Sequence, residues 1–167
     1  MNRIILFAMP ILCAMACTAP AVATSTDRPE IRAVVESFRT AIIQRDKPRF
    51  LALFVKPDLP WQSVLSDASL ARVRAGRPQA AKTAFDASLT PAGFIDFVVG
   101  SKASSEETFA NVRIDGDADV ATVTFDYTFL ADGRATNSGK ECWLLVRSSE
   151  GWKITTLAYS VVLAPKD

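Results

Sequence analysis

The sequence predicts one α+β domain, with N-terminal helices packed on one face of an antiparallel sheet. Two observations predict it. Between Asp27 and Gly100 the apolar residues recur at three- and four-residue steps, whereas from Glu107 onward they alternate. The turn signals Asp115-Gly116-Asp117, Asp132-Gly133 and Ser149-Glu150-Gly151 then divide the second half into four strands joined as hairpins.

The first element reads as a secretory leader. Met1-Asn2-Arg3 supplies a positive start, Ile4 to Ala16 is apolar, and Ala21-Val22-Ala23 has the small-x-small form of a cleavage site. Residues 1–23 are therefore expected to leave, so that residues 24–167 form a single domain in the periplasm or outside the cell, starting at Thr24. Ala16-Cys17 offers a competing reading as a lipid attachment point. The apolar run is too short to span a bilayer and Pro10 interrupts it, so no transmembrane segment is expected.

Asp27-Arg28-Pro29-Glu30 reads as a capping box opening a helix whose stripe is Ile31, Val34, Val35, Phe38, Ala41 and Ile42. Asp46-Lys47-Pro48 restarts a shorter helix carrying Phe50, Leu51, Leu53 and Phe54. Trp61 to Leu65 is a short strand. The polar stretch from Ser66 to Ser88 is long for a structureless loop, so part of it, Pro78 to Phe85, is expected to be helical. Its basic residues Arg72, Arg74, Arg77 and Lys82 read as a solvated face or, less simply, an anion site. Thr90-Pro91 caps a third main helix that ends near Gly100.

The four strands are Glu107 to Ile114, Asp119 to Ala131, Ala135 to Arg147 and Trp152 to Leu163. Two-residue loops at Asp132-Gly133, Glu150-Gly151 and Gly116-Asp117 would set Phe125 against Lys140, Val123 against Cys142, Leu144 against Leu157 and Val112 against Ala121. All three choices agree on one apolar face, which includes Ala110, Val112, Val123, Phe125, Tyr127, Phe129, Cys142, Leu144, Leu157 and Tyr159. The opposite face then holds Phe109, Asp126, Glu141, Trp143 and Leu145. An apolar cluster of Trp143, Leu145 and Phe109 there needs cover, which predicts a homodimer through these residues.

Composition excludes several chemistries. Lys+Arg number 19 and Asp+Glu 18. The leader's one charge is Arg3, so the remaining domain is formally neutral, which argues against a nucleic-acid partner. There is no histidine, which removes Ser-His-Asp and Cys-His systems and histidine-bearing metal sites. No calcium-type loop or glycine-rich phosphate loop is present, so neither a metal nor a cofactor is expected. Cys13 and Cys17 lie in the leader, and the remaining Cys142 reads as a small buried thiol in a strand.

The runs QRDKPRFLALF (44–54) and SGKECWLLVRSSEGWKITTLAYS (138–160), with the order of elements, resemble the nuclear transport factor 2-like superfamily, particularly its SnoaL-like, uncharacterised secreted members. The resemblance implies a cystatin-like cone, in which the helices close the concave side of a curved sheet around a cavity and the convex side often dimerises. It also implies, for ketosteroid-isomerase-like members, an aspartate base in the cavity and, for dehydratases, histidines. This chain has no histidine, and by the register above no inward position from Ala110 onward is a carboxylate.

Asp126 and Glu141 are then diagonal neighbours on the convex face and read as solvated or interface-paired side chains. Asp96, between Ile95 and Phe97, is the candidate base, its simpler reading being the polar side of its helix. The expected ligand-binding set is Tyr127, Tyr159 and Lys140, with walls from Phe125, Phe129 and Leu157. Two functions stay open: a binding or assembly module for a small apolar ligand, or a cofactor-free isomerase, dehydratase or cyclase acting on a small apolar carbonyl compound.

Overall fold

The computed structural model describes residues 28–83 and 86–165. The expected leader, its cleavage site, Cys17 and Asp27 lie outside the described residues; the N-cap of the first helix is Arg28, with no side-chain capping bond, and Glu30 instead meets Trp152 and Arg147, so the expected capping box does not form. Helix α1, Pro29–Gln44, buries all six residues of its predicted stripe. It ends where Arg45 takes a left-handed φ of 53°, which lets the amides of Arg45 and Asp46 bond to Ile42 and Ala41 carbonyls. Asp46 then caps α2, Lys47–Leu51, by accepting from the Arg49 amide at 3.0 Å.

Strand β1, Trp61–Leu65, leads into α3, Asp67–Arg74, which is capped by Ser66. The helix in the polar stretch thus lies earlier than Pro78: Ser66 with Asp67 in the first turn and Arg72 and Arg74 in the last complement the helix dipole, a signal that the sequence reading passed over. Residues 78–83 contain no helix. Arg72 bonds to the Leu163 and Ala164 carbonyls, Arg74 to that of Ala80, and Lys82 to Asp67. Thr90 caps α4, Pro91–Gly100, through the Gly93 amide at 3.0 Å.

Four long strands follow: β2 (Ser105–Gly116), β3 (Val120–Ala131), β4 (Arg134–Ser148) and β5 (Gly151–Leu163). The sheet order is β1-β5-β4-β3-β2, antiparallel except for β1, which runs parallel to β5.

The register departs from the expected one at two of the three turns, where Gly116 rather than Val112 lies opposite Ala121 and Ser148 pairs with Gly151, and again at three bulges, which change which residues face the helices. The β3–β4 hairpin starts as expected, with Ala131 opposite Arg134 across Asp132-Gly133. One extra residue, Thr136, then enters β4, so that Phe129 pairs with Asn137, Phe125 with Glu141 and Val123 with Trp143. In β5 the extra residue is Thr155, which sets Trp143 against Leu157. In β2 the ladder slips between Ala110 and Arg113, around Asn111 at a φ of 55°.

A one-residue slip exchanges the faces of a strand. Glu141, Trp143 and Leu145 therefore point to the helices, at 4%, 1% and 0% exposure, while Cys142 is exposed and Leu144 lies on the outer side. β2 turns Glu107 and Phe109 inward instead of Ala110. The run from Cys142 to Val146 is apolar on both faces, so alternation alone could not choose between them. Putting tryptophan rather than cysteine inside buries more apolar surface, at about 25 cal/mol per Å². The core is aromatic: the Phe38 ring lies 4.8 Å from both Phe50 and Trp143, and Phe125 meets Trp143 edge-on at 5.0 Å.

Candidate functional site

Between the helices and the inner face of the sheet lies a cavity of about 350 Å³. Its walls are mostly aromatic: Phe38 from α1, Trp61 from β1, Phe94 and Phe97 from α4, Tyr127 and Phe129 from β3, with Leu157 and Tyr159 from β5. Phe97 is 62% exposed, which places it at the rim, near Ala131 and Thr136.

Two carboxyl groups line this cavity, Glu107 and Glu141, each at 4% exposure. They are hydrogen-bonded to one another, and the Trp143 indole N–H donates to Glu141 Oε1 at 2.6 Å. Trp143 stands two residues from Glu141 on the same face of β4, so one strand supplies both the buried carboxylate and its donor. Burial pushes the Glu141 carboxyl up to about 7, against the opposing pull of the hydrogen bonds from Trp143 and Glu107. Burial, then the charge of Glu141 and the bond to it, hold Glu107 well above the usual glutamate range. The charge of Glu141 raises Glu107 and the bond from Glu107 lowers Glu141, so when the pair holds one proton it rests on Glu107, which donates it to Glu141.

The tyrosines stand beside the pair, ring centroids 6.1 Å apart and nearly perpendicular. Tyr127 donates toward Asn137 Oδ1 at 2.9 Å and the Ser160 carbonyl at 2.8 Å. It can do so because Gly139 intervenes: a Cβ there would lie 2.0 Å from the Ser160 oxygen. Burial raises the hydroxyl pKa of both, that of Tyr159 to about 12, so both remain neutral donors. Trp61 is 7% exposed, and its indole N–H is buried with no hydrogen-bond partner among the described residues.

Of the expected ligand-binding residues, Tyr127, Phe129, Leu157 and Tyr159 line the cavity. Lys140 does not. The Thr136 bulge turns it outward, where it pairs with Asp126 at 2.6 Å. Phe125 lies deeper, fully buried against Phe109 and Trp143, and does not line the cavity. Asp96 is on the outside of α4 in an ion pair with Lys47, so it is no cavity base. Asp126 and Glu141 lie on opposite faces, Asp126 being held by Asn111 and Lys140. The proposed interface set fails for the same reason: Trp143, Leu145 and Phe109 pack inside the core, which removes the stated basis for a dimer through them.

The reading from sequence missed Glu107 and set Glu141, paired there with Asp126, on the wrong face; the signal for both is an acidic residue two positions before a large aromatic in each strand, Glu107 before Phe109 and Glu141 before Trp143. Among the described residues no group of three or more metal-binding side chains occurs, and no helix is long and apolar enough to cross a membrane.

No protein-family model and no curated protein matches the chain. Solved structures do. A protein of unknown function with a cystatin-like fold from Nostoc punctiforme superposes with a TM-score of 0.54 at 16% identity, covering 80% of this chain and 89% of that one. An NTF2-like protein of unknown function from Pseudomonas putida gives 0.56 at 13% identity, covering 83% and 94%. A nuclear transport factor 2-like superfamily protein from Salmonella enterica gives 0.55 at 16% identity, covering 82% and 92%. The fold is thus the cystatin-like, nuclear transport factor 2-like α+β cone, which hosts many activities.

Proposed function

We propose that this protein is an exported binding module for a small, mostly apolar molecule with one polar group, held in the cavity against Glu107 and Glu141. The observation that carries the reading is the buried carboxyl pair itself. Two carboxyl groups removed from water with no cation lining the cavity cost several kcal/mol relative to apolar residues of similar shape. A fold that needed only a core at these positions would be more stable without them. Concave, aromatic walls with a few convergent polar groups are the general make-up of a ligand site, and about 350 Å³ falls at the small end of such sites. Tyr127 and Tyr159 border the pair and orient the polar end of the guest.

A second reading, acid–base turnover by a cofactor-free isomerase, dehydratase or cyclase acting on a small apolar carbonyl compound, is favoured by one feature. Glu141 sits near 7 beside a protonated Glu107, so one cavity wall offers both a base and an acid. The assembly reading loses support with the burial of Trp143 and Leu145. Titration of a panel of small aromatic compounds, followed by tryptophan fluorescence, tests the first reading. Saturable quenching that is lost on filling the cavity, by Ala131→Trp at its rim, is the expected result, and absence of binding across the panel contradicts it. Consumption of a carbonyl compound that stops in Glu141→Gln would establish the second.

A further inference from the structure

The ligand's polar group can be specified further, on the reading that the cavity is a binding site. We infer that the cavity takes a small organic cation, an arylalkyl or alkyl ammonium, whose positive end lies against Glu107 and Glu141 with its apolar body among the aromatic rings. The charge balance on the cavity wall argues for this. Of the residues that line it, Glu107 and Glu141 alone are ionisable as acids in the neutral range, and none is lysine or arginine. Lys140, the nearest cation along β4, is turned outward onto Asp126, and Arg39 on α1 bonds to Glu106, the neighbour of Glu107 on β2. A pair holding one proton carries one negative charge with no cation beside it on the cavity wall, and a single ammonium neutralises it.

The walls fit the same guest. Trp61, Phe94, Tyr127, Phe129 and Tyr159 come from four different elements and present ring surface around one space. Aromatic faces attract cations, most strongly where water is excluded. No lysine or arginine lines the wall to receive an anion, whose charge would lie against that of the carboxyl pair. The unpartnered, buried indole N–H of Trp61 is a second mark of an incomplete site, since a buried donor left unpaired is rare in a finished core and a guest bearing an acceptor next to its ammonium would satisfy it.

Facing the carboxyl pair are Tyr127 from β3 and Tyr159 from β5, both neutral, with Phe38 from α1, Trp61 from β1 and Phe94 from α4. The pair is therefore the group whose ionisation governs cation binding near neutrality. Its second proton, taken up as pH falls through about 7 on Glu141, removes the charge that the ammonium needs.

Three probes of one skeleton test the inference on the wild-type protein by calorimetry: 2-phenylethylammonium, 2-phenylethanol and phenylacetate. The ammonium is expected to bind about tenfold or more tightly than the alcohol at pH 8, and phenylacetate more weakly than both. Its affinity should fall by about tenfold per pH unit below 7, while that of the alcohol stays level. The double variant Glu107→Gln, Glu141→Gln should abolish the preference for the ammonium without abolishing alcohol binding. Alcohol and ammonium binding equally, or phenylacetate binding best, overturns the cation inference and leaves the binding reading intact. Failure of all three probes contradicts both. If the double variant does not fold, the pH dependence on the wild type still decides.

Discussion

Glu141 holds a proton-binding position that the unfolded chain lacks. Its carboxyl titrates near 7 in the fold, against an ordinary value of 4.5, so between those values the native state retains a proton that the unfolded chain releases. The stability this contributes is fully present below about pH 4.5 and is lost as pH rises through 7. Glu107 moves the same way and adds to the loss. Asp67, Asp86, Asp117 and Asp126 are shifted down by hydrogen bonds to their neighbours, and act in the opposite sense only below their ordinary value of 3.8, outside this window. Melting temperature is therefore expected to be highest near pH 5 and to decline toward pH 8. Glu141→Gln keeps an acceptor for Trp143 without the charge. It should flatten that decline and gain on the order of 3 kcal/mol at pH 8. A wild-type protein that melts higher at pH 8 than at pH 5, with no effect of the variant, contradicts this account of the residue.

At the scale of elements, α1, α2 and α4 were readable from sequence because their signals are local, while α3 was placed too late in the chain. Phe38 and its stripe, the Asp46 and Thr90 caps and the breaks at Pro48 and Pro91 depend on residues three or four apart. Apart from the parallel pairing of β1 with β5, the strands and their order followed from the turns. Their faces did not, because a bulge is set by packing across the sheet and leaves little local trace: Thr136 and Thr155 look like any strand threonine. The agreement of three assumed registers carried little information, since the Cys142 to Val146 run of β4 is apolar on both sides. The same error hid the two glutamates and misplaced Phe109, Trp143, Leu145 and Lys140 together. Gly139 was a clue available in the sequence. Glycine inside a strand weakens it unless a neighbour approaches closely, and here the Ser160 carbonyl and hydroxyl occupy the room. Gly139→Ala should accordingly cost about 1–3 kcal/mol, more than a surface strand position would, measured by urea denaturation. Unchanged stability would mean that β4 and β5 are not held at this register.

For the whole molecule, the cone, the aromatic cavity and the carboxyl pair depend on one another. The Thr136 bulge turns Trp143 inward to complete the core and carries Glu141 with it. The Asn111 irregularity brings Phe109 and Glu107 to the same side from the other edge of β3. The acidic centre of the cavity is thus a consequence of the register that builds the core, and any ligand chemistry follows from that. The most direct measurement is a titration of the glutamate side-chain carboxyl carbons by NMR. One carboxyl titrating near pH 7 and a second well above the usual glutamate range, both moving to ordinary values in the unfolded chain, is the result this structure predicts. Every glutamate carboxyl titrating between about pH 4 and 5 would contradict it, and would place Glu141 on the solvent face.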